Sequence, residues 1–566
     1  MERGCDRPGR PLGGAPEAGA QAVSLDRLSN SRANSLHARA EPGVCSSAVG
    51  TREIGRGVWA MVAMLGCGRA AGPGGVVAAE GREVAVQEVV ERDVTGEAAG
   101  AAGPAAMTRI AAPVEVVVAL PEPWPAGVRW IAAGGGSTPE SNQVSIEQDL
   151  GLARATFGAG GLLLFAGGRG SHGVQVEDGT REGDALLAEL GDLFQPRGGR
   201  GAVYRPTELP ADAAATATNL RAAIDRASAA EGEPLLLYLA GHGQRGEQPS
   251  EAAIDLWGQT NLQAFELAAL LDTRPRPVRL VVTTCFSGGF AELAFVDADA
   301  RRRQPAAGRC GLFAATAERE ASGCDPNPDR AAQEGYGLHF INALRGLGRD
   351  GEAVAVDLDG DGRVSLLEAH ARARGASAGI DVPTTTSERW LRSVPGLRGR
   401  SVAVALPEED AVIAALTARL GLDGGAAAAA LAQVREDMVE VTGRIDQASA
   451  AEDAAYRETA AELLARWPVL DDPWHPDFAA TLAGERTAIA ARLAGSEAYA
   501  RYHAARAEGD AAREQLAAAM ARSAQLERLV RAVETRTLAG RLKARGGADW
   551  AAYERLLACE RWVPPG

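Results

Sequence analysis

Two residues, His242 and Cys285, have the types and the surroundings that a thiol-dependent hydrolytic reaction needs. His242 follows the apolar run 234–240, separated from it by one glycine, and Cys285 directly follows the mainly apolar run 278–284. A cysteine attacks a carbonyl as its thiolate, and a free cysteine has a pKa of about 8.5. A nearby imidazole can take the thiol proton and later protonate the leaving amine. The pair therefore predicts nucleophilic catalysis, with Cys285 as nucleophile and His242 as general base and acid.

Glycines lie close to both residues. Glycine flanks His242 on each side, and two glycines follow Cys285 at positions 288 and 289. Such positions let a peptide backbone approach closely and leave N–H groups to stabilise a developing oxyanion. The amides of Gly243 and Cys285 are the candidate donors. Each residue alone has an ordinary explanation, since a buried cysteine is usually a small hydrophobe. Their joint occurrence at two strand ends is what favours catalysis.

A second chemical motif occupies residues 357–368, which have the spacing of a twelve-residue EF-hand loop. Carboxylates fall at positions 1, 3, 5 and 12, and glycine falls at position 6 for the sharp turn. Oxygen ligands of this kind suit Ca²⁺ before Mg²⁺. The predicted ligands are Asp357, Asp359, Asp361, Arg363 through its carbonyl, Ser365 and Glu368. A helix is predicted after the loop (366–374) but not before it, so a structural clip is preferred over a regulatory switch.

The elements that must position these residues alternate along the chain. Short apolar runs predict strands over 128–133, 162–166, 234–240, 278–284 and 311–316. Helical patterns fall at 143–156, 214–228, 262–272 and 337–346. This alternation predicts an α/β fold with a mainly parallel sheet and helices on both faces. Ligands bind at the carboxyl ends of the strands in such sheets, which is where His242 and Cys285 would lie.

These motifs and their order resemble the caspase/legumain clan of cysteine peptidases, and the legumain family most. Legumains have a strand ending in His-Gly, then Ala-Cys-x-Ser-Gly, then Ala-Thr-x-x-x-x-Glu-Ser-Ser. This chain has His242-Gly243, then Cys285-Phe-Ser-Gly, then the comparable segment 315–322. The resemblance covers about residues 128–347. It implies a caspase/legumain-like peptidase domain over 126–400, a His242/Cys285 dyad, and endopeptidase activity on a protein or peptide substrate.

The resemblance also implies that Ser322 lies near the pocket for the substrate side chain before the scissile bond. Other pocket positions depart from the legumain pattern. Legumains have an arginine and a histidine where this chain has Ser141, Asn142 and Gln143, and a glutamate where it has Thr283. Because Asn142 and Gln143 stand at these pocket positions, they are predicted, with Ser322, to bind substrate. Neither asparagine nor aspartate specificity follows from this pattern.

Composition restricts the partners. The chain has 566 residues and a formal net charge of −15. A nucleic-acid binder needs a clustered basic surface, so no nucleic-acid partner is expected. No stretch reaches the roughly 18–20 consecutive apolar residues of a membrane span. Among the seven cysteines, Cys310 and Cys324 flank one strand and loop. They are expected either to be bridged in an oxidising compartment or to be two ordinary thiols.

Residues 1–125 are rich in Ala, Gly, Pro and Arg and lack sustained periodicity, which predicts a disordered leader. Within it, residues 52–67 combine arginines, a short apolar run and Gly66-Cys67, and so resemble a bacterial lipoprotein signal. This predicts a lipid anchor on Cys67 and a location in the bacterial cell envelope or periplasm. The alternative is an accidental apolar patch and a cytoplasmic protein.

The pattern of residues 407–566 predicts an α-helical tail. Apolar residues recur at three- and four-residue spacing over 409–447 and 505–545, and prolines 468, 473 and 476 interrupt the pattern. No chemistry is visible there, so docking against the catalytic domain or a helical partner is expected. Two alternative functions follow: a non-catalytic caspase-like scaffold whose tail recruits a partner, or a calcium-dependent binding protein.

Overall fold

A six-stranded sheet forms the centre of the fold, in the order β11-β10-β9-β5-β1-β2. In chain order the strands are β1 (Trp130–Gly135), β2 (Gly161–Phe165), β3 (Val174–Glu177), β4 (Ala202–Arg205), β5 (Leu235–Gly241), β6 (Gly243–Gln244), β7 (Ala253–Leu256), β8 (Thr260–Gln263), β9 (Val278–Val282), β10 (Arg309–Phe313) and β11 (Thr384–Thr385). Neighbours in the sheet are parallel, except that β11 is antiparallel to β10. The predicted α/β fold with a mainly parallel sheet is confirmed. The computed structural model describes residues 117–177, 184–194 and 202–564.

The helices in chain order are α1 (Val144–Phe157), α2 (Ala185–Phe194), α3 (Ala217–Ser228), α4 (Ala264–Asp272), α5 (Tyr336–Leu344), α6 (Leu366–Ala376), α7 (Thr386–Ser393), α8 (Pro407–Leu420), α9 (Gly424–Leu464), α10 (Phe478–Ala494), α11 (Glu497–Arg545) and α12 (Gly547–Glu560). The four helices and five strands predicted between residues 128 and 347 are all present, within a few residues of the predicted bounds. As expected, a helix follows residues 357–368 and none precedes them directly.

Both faces of the sheet are covered. Along β5, Leu236 and Tyr238 point into one core, whereas Leu235 and Leu237 point into the other. The whole of β5 is buried, which explains its unbroken apolar sequence. Helices α3 and α4 supply the second core, and helices α1, α5 and α12 supply the first. His242 therefore directly follows a strand that is covered on both faces.

The C-terminal region is helical, as predicted. Helices α9 and α11 are 41 and 49 residues long. They run antiparallel, because Arg435 pairs with Glu527 near one end and Arg501 with Glu458 near the other. A short 3-10 helix, Pro468–Asp471, breaks the run between α9 and α10 where prolines were expected to do so. Leu542 and Tyr553 belong to the same core as the central sheet, so these helices pack on the sheet domain.

A disulfide joins the sheet to the last helix. Cys310 of β10 is bonded to Cys559 of α12, with a Cα–Cα distance of 6.0 Å. The expected pairing of Cys310 with Cys324 was therefore wrong. Cys559 lies 249 residues further along the chain, and only the packing of α12 beside β10 brings the two together.

The leader prediction lies almost wholly outside the described residues, and so does Cys67 with the lipoprotein-like segment 52–67. Residues 117–125, which composition assigned to the leader, are described. Val118 donates a backbone hydrogen bond to Gly167 (3.1 Å) and accepts one from Ala214 (2.8 Å). Of the helices in the described ranges, none alone has the length and apolar composition to cross a bilayer. The bent pair α8 and α9 reaches that length and composition only when the two helices are taken together.

Candidate active site

The register of β5 and β9 brings the two predicted catalytic residues to one edge of the sheet. These strands are adjacent and parallel, and Leu239 is paired with Val282. The same register continues one residue further, where the Thr283 amide donates to the Leu239 carbonyl at 2.9 Å. Three residues beyond the Leu239–Val282 pair stand His242 and Cys285. Both therefore lie at the carboxyl edge, where parallel sheets place their ligands.

Gly243 packs directly on the backbone of Cys285. A Cβ atom on Gly243 would lie 2.3 Å from the Cys285 carbonyl oxygen and 2.8 Å from Thr284 Oγ1. Glycine is needed here because no side chain fits between the two chain segments. The residues that carry the predicted oxyanion donors, Gly243 and Cys285, are thus neighbours in space. Their role as donors stays a prediction.

Gln143 contacts the imidazole of His242. The Gln143 Oε1 atom lies 2.8 Å from His242 Nε2. The Gln143 Nε2 atom donates to Gln175 Oε1 (3.2 Å) and to the Glu140 carbonyl (3.3 Å), which fixes the orientation of the amide. Since an amide oxygen only accepts hydrogen bonds, His242 Nε2 carries the proton. The lone pair of the neutral ring is then on Nδ1.

The protonation state of His242 suits a general base. Burial lowers the pKa of His242 to about 4, and a hydrogen bond with the Ser141 backbone opposes that shift. The imidazole is therefore neutral at neutral pH and able to accept a proton. Gln143 contacts this ring, and its predicted role in binding substrate stays a prediction.

Cys285 is a thiol with 0 % of its surface exposed. Its Sγ atom lies 3.3 Å from the Ala321 amide nitrogen and 3.5 Å from the Ala321 carbonyl oxygen. The next residue, Phe286, has a φ of 55°, a conformation that non-glycine residues rarely adopt. Its amide donates to the Arg319 carbonyl at 2.8 Å. The segment 319–321 thus lies directly on the residues around the nucleophile.

The other two predicted substrate-binding residues differ in their surroundings. Ser322 lines a small cavity at the carboxyl edge of the sheet, together with Gly241 and Thr283. Asn142 is fully buried and bonds the backbone, accepting from the Gly136 amide and donating to the Gly173 carbonyl. It therefore shapes the turn after β1 and offers no exposed atom to a substrate.

Sequence reasoning missed Asp149, a carboxylate that lines the same cavity. Asp149 is buried, and burial raises its pKa despite the Arg330 guanidinium 2.8 Å from its Oδ1 atom. The Tyr238 hydroxyl is close by, since a Cβ on Gly337 would lie within 3 Å of both groups. The available signal was an acidic residue directly beside Leu150, on the core-facing side of α1.

The calcium-type loop brings three of its predicted ligands together. Ligand oxygens of Asp357, Asp359 and Asp361 all lie within 4.8 Å of one another. Gly362 at position 6 has a φ of 80°, which the sharp turn requires. Glu368 accepts from the Leu358 amide (2.7 Å) and, at its other oxygen, from Ser365 Oγ (2.9 Å). These contacts hold the loop closed at the start of α6. Arg363, whose carbonyl was predicted to bind the ion, has an exposed side chain.

No known protein-family profile matches this chain. A search of curated proteins likewise gave no match.

Proposed function

We propose that this protein is a cysteine endopeptidase of the caspase/legumain type, with Cys285 as nucleophile and His242 as general base and acid. One observation carries the proposal: the β5–β9 register brings a neutral histidine and a thiol to the same carboxyl edge. The close approach of Gly243 to the Cys285 carbonyl supports it. The motif order around these residues supports the family assignment.

In the proposed reaction, His242 Nδ1 takes the proton of the Cys285 thiol. The thiolate attacks the scissile carbonyl, and backbone N–H groups stabilise the oxyanion. The imidazolium then gives its proton to the leaving amine, which leaves a thioacyl enzyme. His242 next takes a proton from water, whose oxygen attacks the thioester carbonyl. The carbon–sulfur bond then breaks, the carboxylic acid product leaves, and the imidazolium returns the proton to the Cys285 sulfur. Gln143 orients the ring throughout by accepting from Nε2.

Substitution of the nucleophile tests the proposal. Cys285→Ala should abolish cleavage of fluorescein-labelled casein, because no other group at the edge replaces the thiol. Far-UV circular dichroism should be unchanged, since the smaller side chain keeps the position apolar. Cys559→Ser removes a cysteine far from the edge and breaks its disulfide to Cys310; assayed where it is folded, it is the control and should retain cleavage. If Cys285→Ala still cleaves casein, the assignment of Cys285 as the nucleophile is wrong.

A non-catalytic scaffold is the alternative, and the complete burial of Cys285 favours it. Such a protein would use the same fold with its helical region as a recruiting surface. Iodoacetamide discriminates the two under non-reducing conditions. A nucleophile that substrate must reach is alkylated within minutes, whereas a structural thiol stays unmodified until the protein unfolds.

The loop 357–368 is proposed to bind Ca²⁺ as a structural clip. The convergence of three aspartates and the glycine turn support it. Asp357, Asp359 and Asp361 would hold the ion, which would neutralise their mutual repulsion. A regulatory role is the alternative, and it requires activity in EDTA to differ from activity in millimolar Ca²⁺.

A further inference from the structure

Residues 319–322 form a short segment that contacts the thiol of Cys285. Ala321 contacts Sγ through both its amide nitrogen and its carbonyl oxygen, and Arg319 accepts from the Phe286 amide. Cys285 has no exposed surface while this segment is in place. A reagent or substrate that approaches sulfur from this side must displace the segment, so the groups that hold it affect access to the nucleophile.

Asp381 holds one end of this segment. The Ser322 amide donates to Asp381 Oδ1 and the Ser322 hydroxyl donates to Oδ2, each at 2.7 Å. Asp381 has 0 % of its surface exposed. The ionised carboxylate accepts both hydrogen bonds without a competing proton on either oxygen. Burial raises the pKa of Asp381 to about 6, and the Ser322 hydrogen bonds and Arg528 oppose that rise.

Arg528 comes from the C-terminal helix α11, and only 1 % of its surface is exposed. One of its nitrogens, Nη2, donates to the Ser377 carbonyl at 3.0 Å. Its Nε and Nη1 atoms are buried with no hydrogen-bond partner among the described residues. A buried guanidinium requires an opposite charge nearby. Asp381 is the carboxylate that acts most strongly on it.

The preceding residue of α11 holds the other end of the segment. Glu527 forms an ion pair with Arg319, and it also pairs with Arg435 of α9 at 3.0 Å. Two consecutive residues of one helix thus act on both sides of Ala321. Glu527 contacts residue 319 directly. Arg528 is an electrostatic neighbour of Asp381, which binds residue 322.

We propose that Asp381 and Arg528 are positioning residues of the candidate site. Asp381 holds Ser322, and with it the segment that covers the Cys285 thiol. Arg528 of the C-terminal helices supplies the charge that keeps Asp381 in place. The inference rests on the proposed function for the importance of Cys285, but its direct content is access to that sulfur.

The rate of alkylation of Cys285 in the full chain tests this inference. Iodoacetamide is added at pH 7 without reductant, and carbamidomethylated Cys285 is quantified by mass spectrometry. Arg528→Met and Asp381→Ala should accelerate the modification at least tenfold, because the covering segment opens more often. Arg528→Lys keeps the charge and should stay within about threefold of the wild-type rate. A merely structural role would not give this rescue.

Arg541→Met is the matched control, because Arg541 lies on the same helix and donates to the Leu397 carbonyl, away from the covering segment. Its alkylation rate should equal that of the wild type. Equal acceleration in Arg541→Met and Arg528→Met would overturn the inference, and so would an unchanged rate in a folded Arg528→Met protein. If Arg528→Met does not fold, the isosteric Asp381→Asn decides. It keeps one acceptor for Ser322 and should still accelerate the reaction at least threefold, and an unchanged rate would refute the inference.

Casein cleavage by the wild type is measured separately. If the wild type does not cleave casein but Arg528→Met is alkylated faster, the peptidase proposal is wrong and the positioning role of Arg528 stands. If the wild type cleaves casein but Arg528→Met does not change the alkylation rate, the peptidase proposal stands and the positioning role is wrong.

Discussion

The imidazole of His242 is held in one protonation state by two neighbours of different kinds. Buried surroundings lower its pKa to about 4, and the Gln143 amide oxygen accepts a hydrogen bond from Nε2–H. The neutral ring is the form that a general base needs. In the proposed peptidase, activity is therefore lost on the acid side only as His242 becomes protonated, well below neutral pH.

Gln143→Glu should move this acid limb to higher pH. A carboxylate 2.8 Å from Nε2 favours the imidazolium, so the pKa of His242 rises and the neutral base persists only at higher pH. A shift of about one unit or more is expected in the pH profile of kcat/KM for casein peptides. Gln148→Glu adds the same charge on α1, near Pro328, and should leave the limb in place. An unmoved limb in Gln143→Glu would show that His242 is not the titrating base.

Single residues also mark the limit of sequence reasoning. His242 and Cys285 were identifiable because strand ends and glycines are local patterns. The contact of Gln143 with His242 joins residues 99 positions apart, and no local pattern encodes it. Asp149 looks like an ordinary helix residue until the cavity beside Thr283 is known. Contacts that depend on a distant partner were therefore not predicted.

Strands and loops decide which of these groups meet. The apolar runs that became β5 and β9 are long enough for their pairing to follow from the usual order of parallel strands. By contrast, β6 and β11 are two residues long and exist only because neighbouring chain segments pair with them. Helix α7 was also missed, since its eight residues are mostly polar. Elements stabilised by tertiary contacts lack the periodicity that prediction requires.

At the same scale, the loop 357–368 should give calcium-dependent stability. Binding to the folded state alone stabilises it by about 2.7 kcal/mol when free Ca²⁺ is 100 times Kd. The Tm in 1 mM CaCl₂ should thus exceed that in EDTA by about 2–5 °C. Asp359→Asn removes a central carboxylate and should abolish the difference, whereas Asp350→Asn, outside the loop, should preserve it. Equal Tm values for the wild type in the two buffers would exclude the site.

On the scale of the whole molecule, the C-terminal helices are joined to the sheet by apolar, ionic and covalent contacts. Glu388 of α7 pairs with Arg531 of α11 at 2.8 Å, and Glu409 of α8 pairs with Arg374 at 2.6 Å. Glu560 is completely buried and accepts from Ser387. These buried polar contacts make the packing of the helices on the sheet domain specific, because each buried charge needs its own partner.

The disulfide between Cys310 and Cys559 should contribute measurably to stability. It closes a loop of 249 residues, and removing such a link typically costs about 2–5 kcal/mol. Cys559→Ser should lower the urea midpoint of unfolding, and reduction of the wild type should lower it at least as far, because Cys324 is also disulfide-bonded. Cys285→Ser, which breaks no cross-link, is the control. Identical midpoints for Cys559→Ser and wild type would mean that packing alone holds α12 in place.

The shared core around Leu542 and Tyr553 has a genetic consequence. A reading frame stopped near codon 400 would encode every strand of the sheet, yet the polypeptide would lack the C-terminal side chains, Leu542 and Tyr553 among them, that complete the cover of one of its faces. Cys310 would lose its bonding partner at the same time. Recombination between genes of this type can therefore exchange the two parts only together, so the sheet and its C-terminal helices are expected to be inherited as one unit.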